Sequence, residues 1–167
     1  MGAYTTSLPR AAMGIAAGVM TGAAFVALWS LVGVSAIHPY LLRDALTIFA
    51  FAAVVWAAGL IAVAAVPWAI LHHYEHRSWP VAVALGAVLT FVVVFGFLTN
   101  GFGAYVRSGN ISAADSGGPT WVNGRLTAHG WMEAFIFAAI CSAAGAVVGF
   151  AVWRTAYRRA GTGDGPA

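Results

Sequence analysis

Glu133 lies within an apolar stretch of this 167-residue chain, and His129 stands four residues before it. A carboxylate inside a membrane span can carry a proton, bind a cation or pair with a partner's arginine. Residues four apart share one face of a helix, so His129 and Glu133 are placed to share a proton or offer two metal ligands. A plainer role competes with this chemistry. Glu133 stands only a turn or two into its stretch, where the helix dipole favours negative charge and the side chain can reach headgroups or water. His38 follows the first apolar stretch and Asp44 opens the second. If His38, His129 and Glu133 converge, with or without Asp44, they make a donor set suited to zinc or another divalent ion. A haem held by His38 and His129 is a more distant form of the same idea, because neither histidine lies deep in a stretch.

A second polar group reads Leu71-His72-His73-Tyr74-Glu75-His76-Arg77-Ser78. His72 and His76 share a face if the preceding helix extends that far, which offers a metal or pH-sensing pair. With Glu75 they also match the H-x-x-E-H pattern of one metallopeptidase class. That chemistry needs a large soluble catalytic domain, so a solvated turn in contact with headgroups is the expected state. Cys141 lies in an apolar run; a single thiol forms no internal disulfide and no cysteine-based metal site. No paired nucleophile and base, carboxylate pair or nucleotide-binding glycine motif is present. No catalytic residue and no cofactor are therefore predicted.

The elements that hold these groups follow from composition. Hydrophobic residues make up 61% of the chain and charged residues 8%, against about 25% charged in soluble domains. Such a chain cannot cover a globule with polar surface, which excludes a soluble enzyme, a disordered tail or a nucleic-acid-binding module. A spanning helix needs about 20 apolar residues. Four stretches qualify, at residues 11–37, 45–71, 80–102 and 128–153. Backbone groups in lipid must be bonded within the segment, so each is expected to be helical. The predicted fold is all-α, an integral membrane bundle of four transmembrane helices forming one domain over residues 1–160, with a disordered tail at 161–167. The first stretch is too long for a cleaved signal peptide. The myristoylation-like start and the Asn110-Ile111-Ser112 sequon are read as chance.

Arginine placement sets the expected orientation. Arg10, Arg77, Arg154, Arg158 and Arg159 fall on one side; Arg43, Arg107 and Arg125 fall on the other. Both termini are therefore expected in the cytoplasm. The eight basic residues are all arginine, and with abundant alanine and glycine this suggests a GC-rich bacterial source and an inner-membrane location. Trp68, Tyr74, Trp79, Trp153 and Tyr157 mark the inner interface, and Tyr40, Tyr105, Trp121 and Trp131 the outer one. Trp29 and Trp56 lie well inside spans, facing lipid or filling space between helices. Pro67 is expected to kink the second span. The long outer loop, about residues 103–127, is read as functional or disordered.

Gly14, Gly18 and Gly22 repeat at spacing four, as do Cys141, Gly145 and Gly149. Such ridges let helices approach closely in lipid, either within the chain or in an oligomer. Phe49-Ala50-Phe51-Ala52-Ala53 aligns with Phe135-Ile136-Phe137-Ala138-Ala139, and Ser7-Leu8-Pro9 resembles Ser78-Trp79-Pro80. This pattern suggests a duplicated helical hairpin. Sparse reactive groups and small-residue ridges favour a non-enzymatic accessory or assembly subunit of a larger membrane complex. The expected partners are the bilayer and other membrane subunits or further copies, not nucleic acid. An oligomeric transporter or channel with Glu133 in its pathway is the alternative. A metal or redox membrane protein using His38, His129 and Glu133 comes third.

Overall fold

A computed structural model describes residues 4–32, 40–74, 78–105, 114–115 and 118–159. The chain is all-α, with four helices long and apolar enough to cross a membrane: Leu8–Leu31, Leu41–Leu71, Trp79–Leu98 and Ala128–Ala156. It is a multi-pass membrane protein. Helix α1 is Leu8–Val32 and α2 is Leu41–Gly59; a π-helical turn, Leu60–Ala64, joins α2 to α3, Ala65–His73. Helix α4 is Trp79–Leu98 and α5 is Ala128–Ala156. The helices fall into two compact units, Met1–Gly86 with Ala146–Ala167, and Ala87–Gly145.

Helix starts and stops have local causes. Ser7 precedes α1 and its carbonyl accepts the Ala11 N–H at 2.9 Å; Ser78 precedes α4 and accepts the Ala82 N–H at 3.3 Å. In both cases proline is the second helical residue, where no intrahelical partner exists for an N–H. The two similar tripeptides thus open their helices alike. Ala52 and Ala138, aligned in the suggested duplication, are both buried. The second span departs from the fourth at the π turn, just before Pro67. A proline lacks an N–H and crowds the carbonyl four residues back; here that carbonyl belongs to Val63, inside the π turn. The extra residue in that turn absorbs the conflict, and the helix continues to His73.

In the first unit, small residues set the helix contacts. A Cβ built on Gly14 would lie 2.9 Å from Ala156 Cβ, and one on Gly18 would lie 2.6 Å from Val152 Cγ2 and 3.1 Å from Leu60 Cδ1. One on Gly22 would enter the Trp56 indole, and one on Gly149 the Ala82 carbonyl. Moving up α1 from Gly14 to Gly22 means moving down α5 and α2, so α1 runs antiparallel to both. In lipid, where little hydrophobic drive exists between helices, such backbone approach supplies the dispersion contacts. Trp56 fills space between helices, whereas Trp29 is 55% exposed and stacks on Phe25 at 6.3 Å.

The end of this unit is closed by a pairing the helical pattern does not announce. Strand β1, Tyr4–Thr5, pairs antiparallel with β6, Arg158–Arg159, with Thr5 opposite Arg158 and Tyr4 opposite Arg159. Trp68 and Tyr157 lie 6.3 Å apart at this end, and Trp79 meets Phe150 edge-on at 6.4 Å. Tyr157 is only 7% exposed, packed beside Trp68.

In the second unit, α4 ends at Leu98 rather than Phe102. The Gly101 N–H bonds to the Gly96 carbonyl at 2.7 Å, and the Asn100 N–H to the Phe97 carbonyl at 3.3 Å. This is a Schellman stop, with Asn100 in the left-handed region at φ 50°. Gly101, Phe102 and Gly103 continue at φ 68°, 59° and 80°. Thr99, fully buried, holds the turn: its hydroxyl donates to the Phe95 carbonyl at 2.6 Å and accepts the Phe102 N–H at 3.1 Å.

Candidate functional site

Thr127 builds the start of α5. Its Oγ1 accepts the Gly130 N–H at 3.1 Å, the bond expected of an N-cap. The same hydroxyl donates to the Pro119 carbonyl at 2.6 Å, and the Thr127 N–H bonds to Thr120 O at 3.1 Å. The loop between α4 and α5 is thereby tied to the start of α5. It contains two short hairpins, β2 (Ala114–Asp115) with β3 (Gly118–Pro119), and β4 (Trp121–Val122) with β5 (Arg125–Leu126). Asn123 and Gly124 turn the second hairpin at φ 50° and 72°, the positive pair required by a type I′ turn. Gly130 has no room for a Cβ, because the Thr120 carbonyl and the Leu126 side chain press on it.

His129 and Glu133 project from this start of α5. Nε2 of His129 lies 3.4 Å from Oε1 of Glu133, and the side chains are 25% and 36% exposed. The pair is half-buried and stands at ion-pair distance when the imidazole is protonated. It lies away from the helix face that carries Trp131 and Phe135, since two residues turn a helix through more than half a circle. That other face packs on α4: Phe135 meets Phe91 at 5.4 Å and Phe95 at 6.3 Å, and Trp131 meets Phe95 at 5.7 Å. Phe102 joins at 5.9 Å from Phe95. Each such pair contributes about 0.5–1.5 kcal/mol beyond its buried area. The aromatic seam therefore fixes α5, and with it the pair, against α4.

The remaining candidates are dispersed or lie outside the described residues. His38, Glu75 and His76 fall outside them, as does residue 161 onward. His72 belongs to α3, and the adjacent His73 is exposed with its ring 5.5 Å from Tyr74. Asp44, in the first turn of α2, lies 3.6 Å from Arg43, whose guanidinium stands 4.9 Å over the Tyr40 ring. Among the described residues no three His, Cys, Asp or Glu side chains group as a metal site. Cys141 is half-buried and unbridged, and Gly145 is buried. Thr99 and Thr127, which hold the left-handed turn and the helix cap, escaped the sequence reading. For Thr127 the signal was available, as a threonine preceding an apolar helical run; for Thr99 there was none. Compared with known proteins, the chain matches no family, no curated protein and no solved structure.

Proposed function

We propose that this chain is a small non-enzymatic accessory or assembly subunit of a larger complex in the bacterial inner membrane, with both termini cytoplasmic. The observation that carries this reading is the apolar interior. Its buried side chains are mainly alanine, joined by Val148 and Tyr157. Thr99 is the fully buried polar side chain among the described residues, and its hydroxyl is consumed by the backbone. Close approach at Gly14, Gly18, Gly22 and Gly149 leaves little room for a polar path beside those residues. Large apolar side chains instead crowd the outside, among them Val88, Val92, Val93 and Phe97 on α4. Lipid and neighbouring subunits are the natural occupants of such faces. Gentle detergent extraction, native sizing and mass spectrometry test the reading. Stable co-migration with other membrane proteins is expected, and a pure homo-oligomer or monomer would overturn it. The arginine balance supports the orientation. Cysteines placed in the 110–118 segment should react with impermeant reagent only from outside the cytoplasm; reaction only from within reverses the assignment.

The His129–Glu133 contact favours a second reading, an oligomeric transporter or channel with Glu133 in its pathway. Under that reading Glu133→Gln lowers flux in liposomes, because it removes the ionisable group from the pathway. Unchanged flux removes the residue from any mechanism.

A further inference from the structure

Asn100, Asn110 and Asn123 are the asparagines of the chain, and Asn100 and Asn123 are each followed by glycine. In an Asn-Gly pair the glycine nitrogen can attack the side-chain amide carbon, because the following residue has no Cβ to obstruct it. The structure separates the two pairs. Asn100-Gly101 is locked: the Gly101 N–H donates to the Gly96 carbonyl at 2.7 Å and the Gly103 N–H to the Thr99 carbonyl at 2.7 Å. Thr99, fully buried, adds its own two bonds, to the Phe95 carbonyl and from the Phe102 N–H. Asn123-Gly124 instead forms the tip of the β4–β5 hairpin, with Asn123 exposed. The ladder there pairs Val122 with Arg125 and Trp121 with Leu126, and it leaves the Gly124 amide out. Two strands of two residues hold this turn. So short a hairpin is marginal by itself and opens locally. Gly124 is buried in the closed turn, and opening is what exposes its nitrogen.

We propose that Asn123 is a site of spontaneous deamidation and isomerisation, and that Asn100 is protected from the same reaction by its turn. In the opened hairpin the Gly124 nitrogen gives its proton to hydroxide and bonds to Asn123 Cγ. The Cγ–Nδ2 bond breaks, and Nδ2 takes a proton from water and leaves as ammonia. The product is a cyclic succinimide. Water then adds to either carbonyl carbon of the ring. Attack at one opens it to aspartate, and attack at the other opens it to isoaspartate, whose main chain runs through Cβ and Cγ. The net change consumes water and releases ammonia, with no oxidation or reduction. Either product places a negative charge beside Arg125. Isoaspartate also lengthens the backbone of a turn whose type I′ geometry admits two ordinary residues. The loop tied to the start of α5 thus carries a slow, irreversible modification, whatever complex the chain joins.

The test is ageing of the full chain in lipid nanodiscs in mildly alkaline buffer, beside a sample denatured in dodecyl sulfate. Both are digested and mapped by mass spectrometry, with fragmentation that distinguishes aspartate from isoaspartate. In the folded chain the peptide holding Asn123 should gain the mass of an amide-to-acid exchange and yield both products. It should convert about 5–30 times faster than the peptide holding Asn100, the factor that one or two hydrogen bonds' worth of stability supplies. In the denatured chain the two sites should convert at similar rates. Gly124→Ala should slow Asn123 in the denatured chain, where no turn is at stake. Equal rates in the folded chain, or faster conversion at Asn100, overturn the proposal. So does an Asn123 that stays intact in the folded chain while the denatured chain reacts, because the hairpin then stays closed. A difference in the denatured chain as large as that in the folded one assigns the preference to local sequence and overturns the protective role of the Asn100 turn. Aspartate without isoaspartate marks direct hydrolysis and overturns the succinimide route.

Discussion

Glycine does opposite things at two positions of the first unit. At Gly22 any side chain would enter the Trp56 indole, so the α1–α2 contact depends on its absence. At Gly59 nothing lies within 4 Å of a built Cβ. Gly22→Leu is therefore expected to destabilise the chain by about 1–3 kcal/mol through overpacking. Gly59→Ala is expected to stabilise it by roughly 1 kcal/mol through helix propensity. Unfolding titrations in mixed micelles compare the two, and equal effects would contradict the packing described. The same scale limits what spacing reveals. The repeat of Gly14, Gly18 and Gly22 announces a close approach, but only the neighbours Ala156, Val152 and Trp56 show that it lies within the chain. His129 and Glu133 were legible as a pair because spacing four fixes their face; no local pattern tells which distant helix ends come together.

Elements were legible where their cause is local. Apolar runs longer than the bilayer core located all four spanning helices. The end of α4 at Leu98 was missed because Phe102 was counted into the apolar run across Thr99-Asn100-Gly101, although Asn100-Gly101 is a stop signal of known type. Asn123-Gly124 was likewise an available hairpin signal, masked by the loop-like composition around it. Pro67 signals a disturbed helix, but composition does not decide between a kink and a π turn. Restoring the amide tests the cause assigned above. Pro67→Ala should return residues 60–64 to regular α-helical hydrogen bonding, visible in amide chemical shifts and slower hydrogen exchange there. Persistence of the π turn would place its cause in the packing of Leu60 against Gly18 instead.

At the scale of the molecule, charge scarcity names the compartment and the few charges define its ends. An even number of spans returns the chain to the side where it began, and β1–β6 joins the two termini there. Two-residue strands carry no periodicity, so this closure could not be read beforehand. It lies at the same end as the buried Tyr157. The most direct measurement is a distance between spin labels at Tyr4 and Arg159 in a Cys141→Ser background, in lipid nanodiscs. Backbones paired as antiparallel strands lie about 5 Å apart, so labels on them should report a narrow distribution below about 20 Å. A distance near or above the ~30 Å of the hydrocarbon core would place the termini on opposite faces and contradict the account.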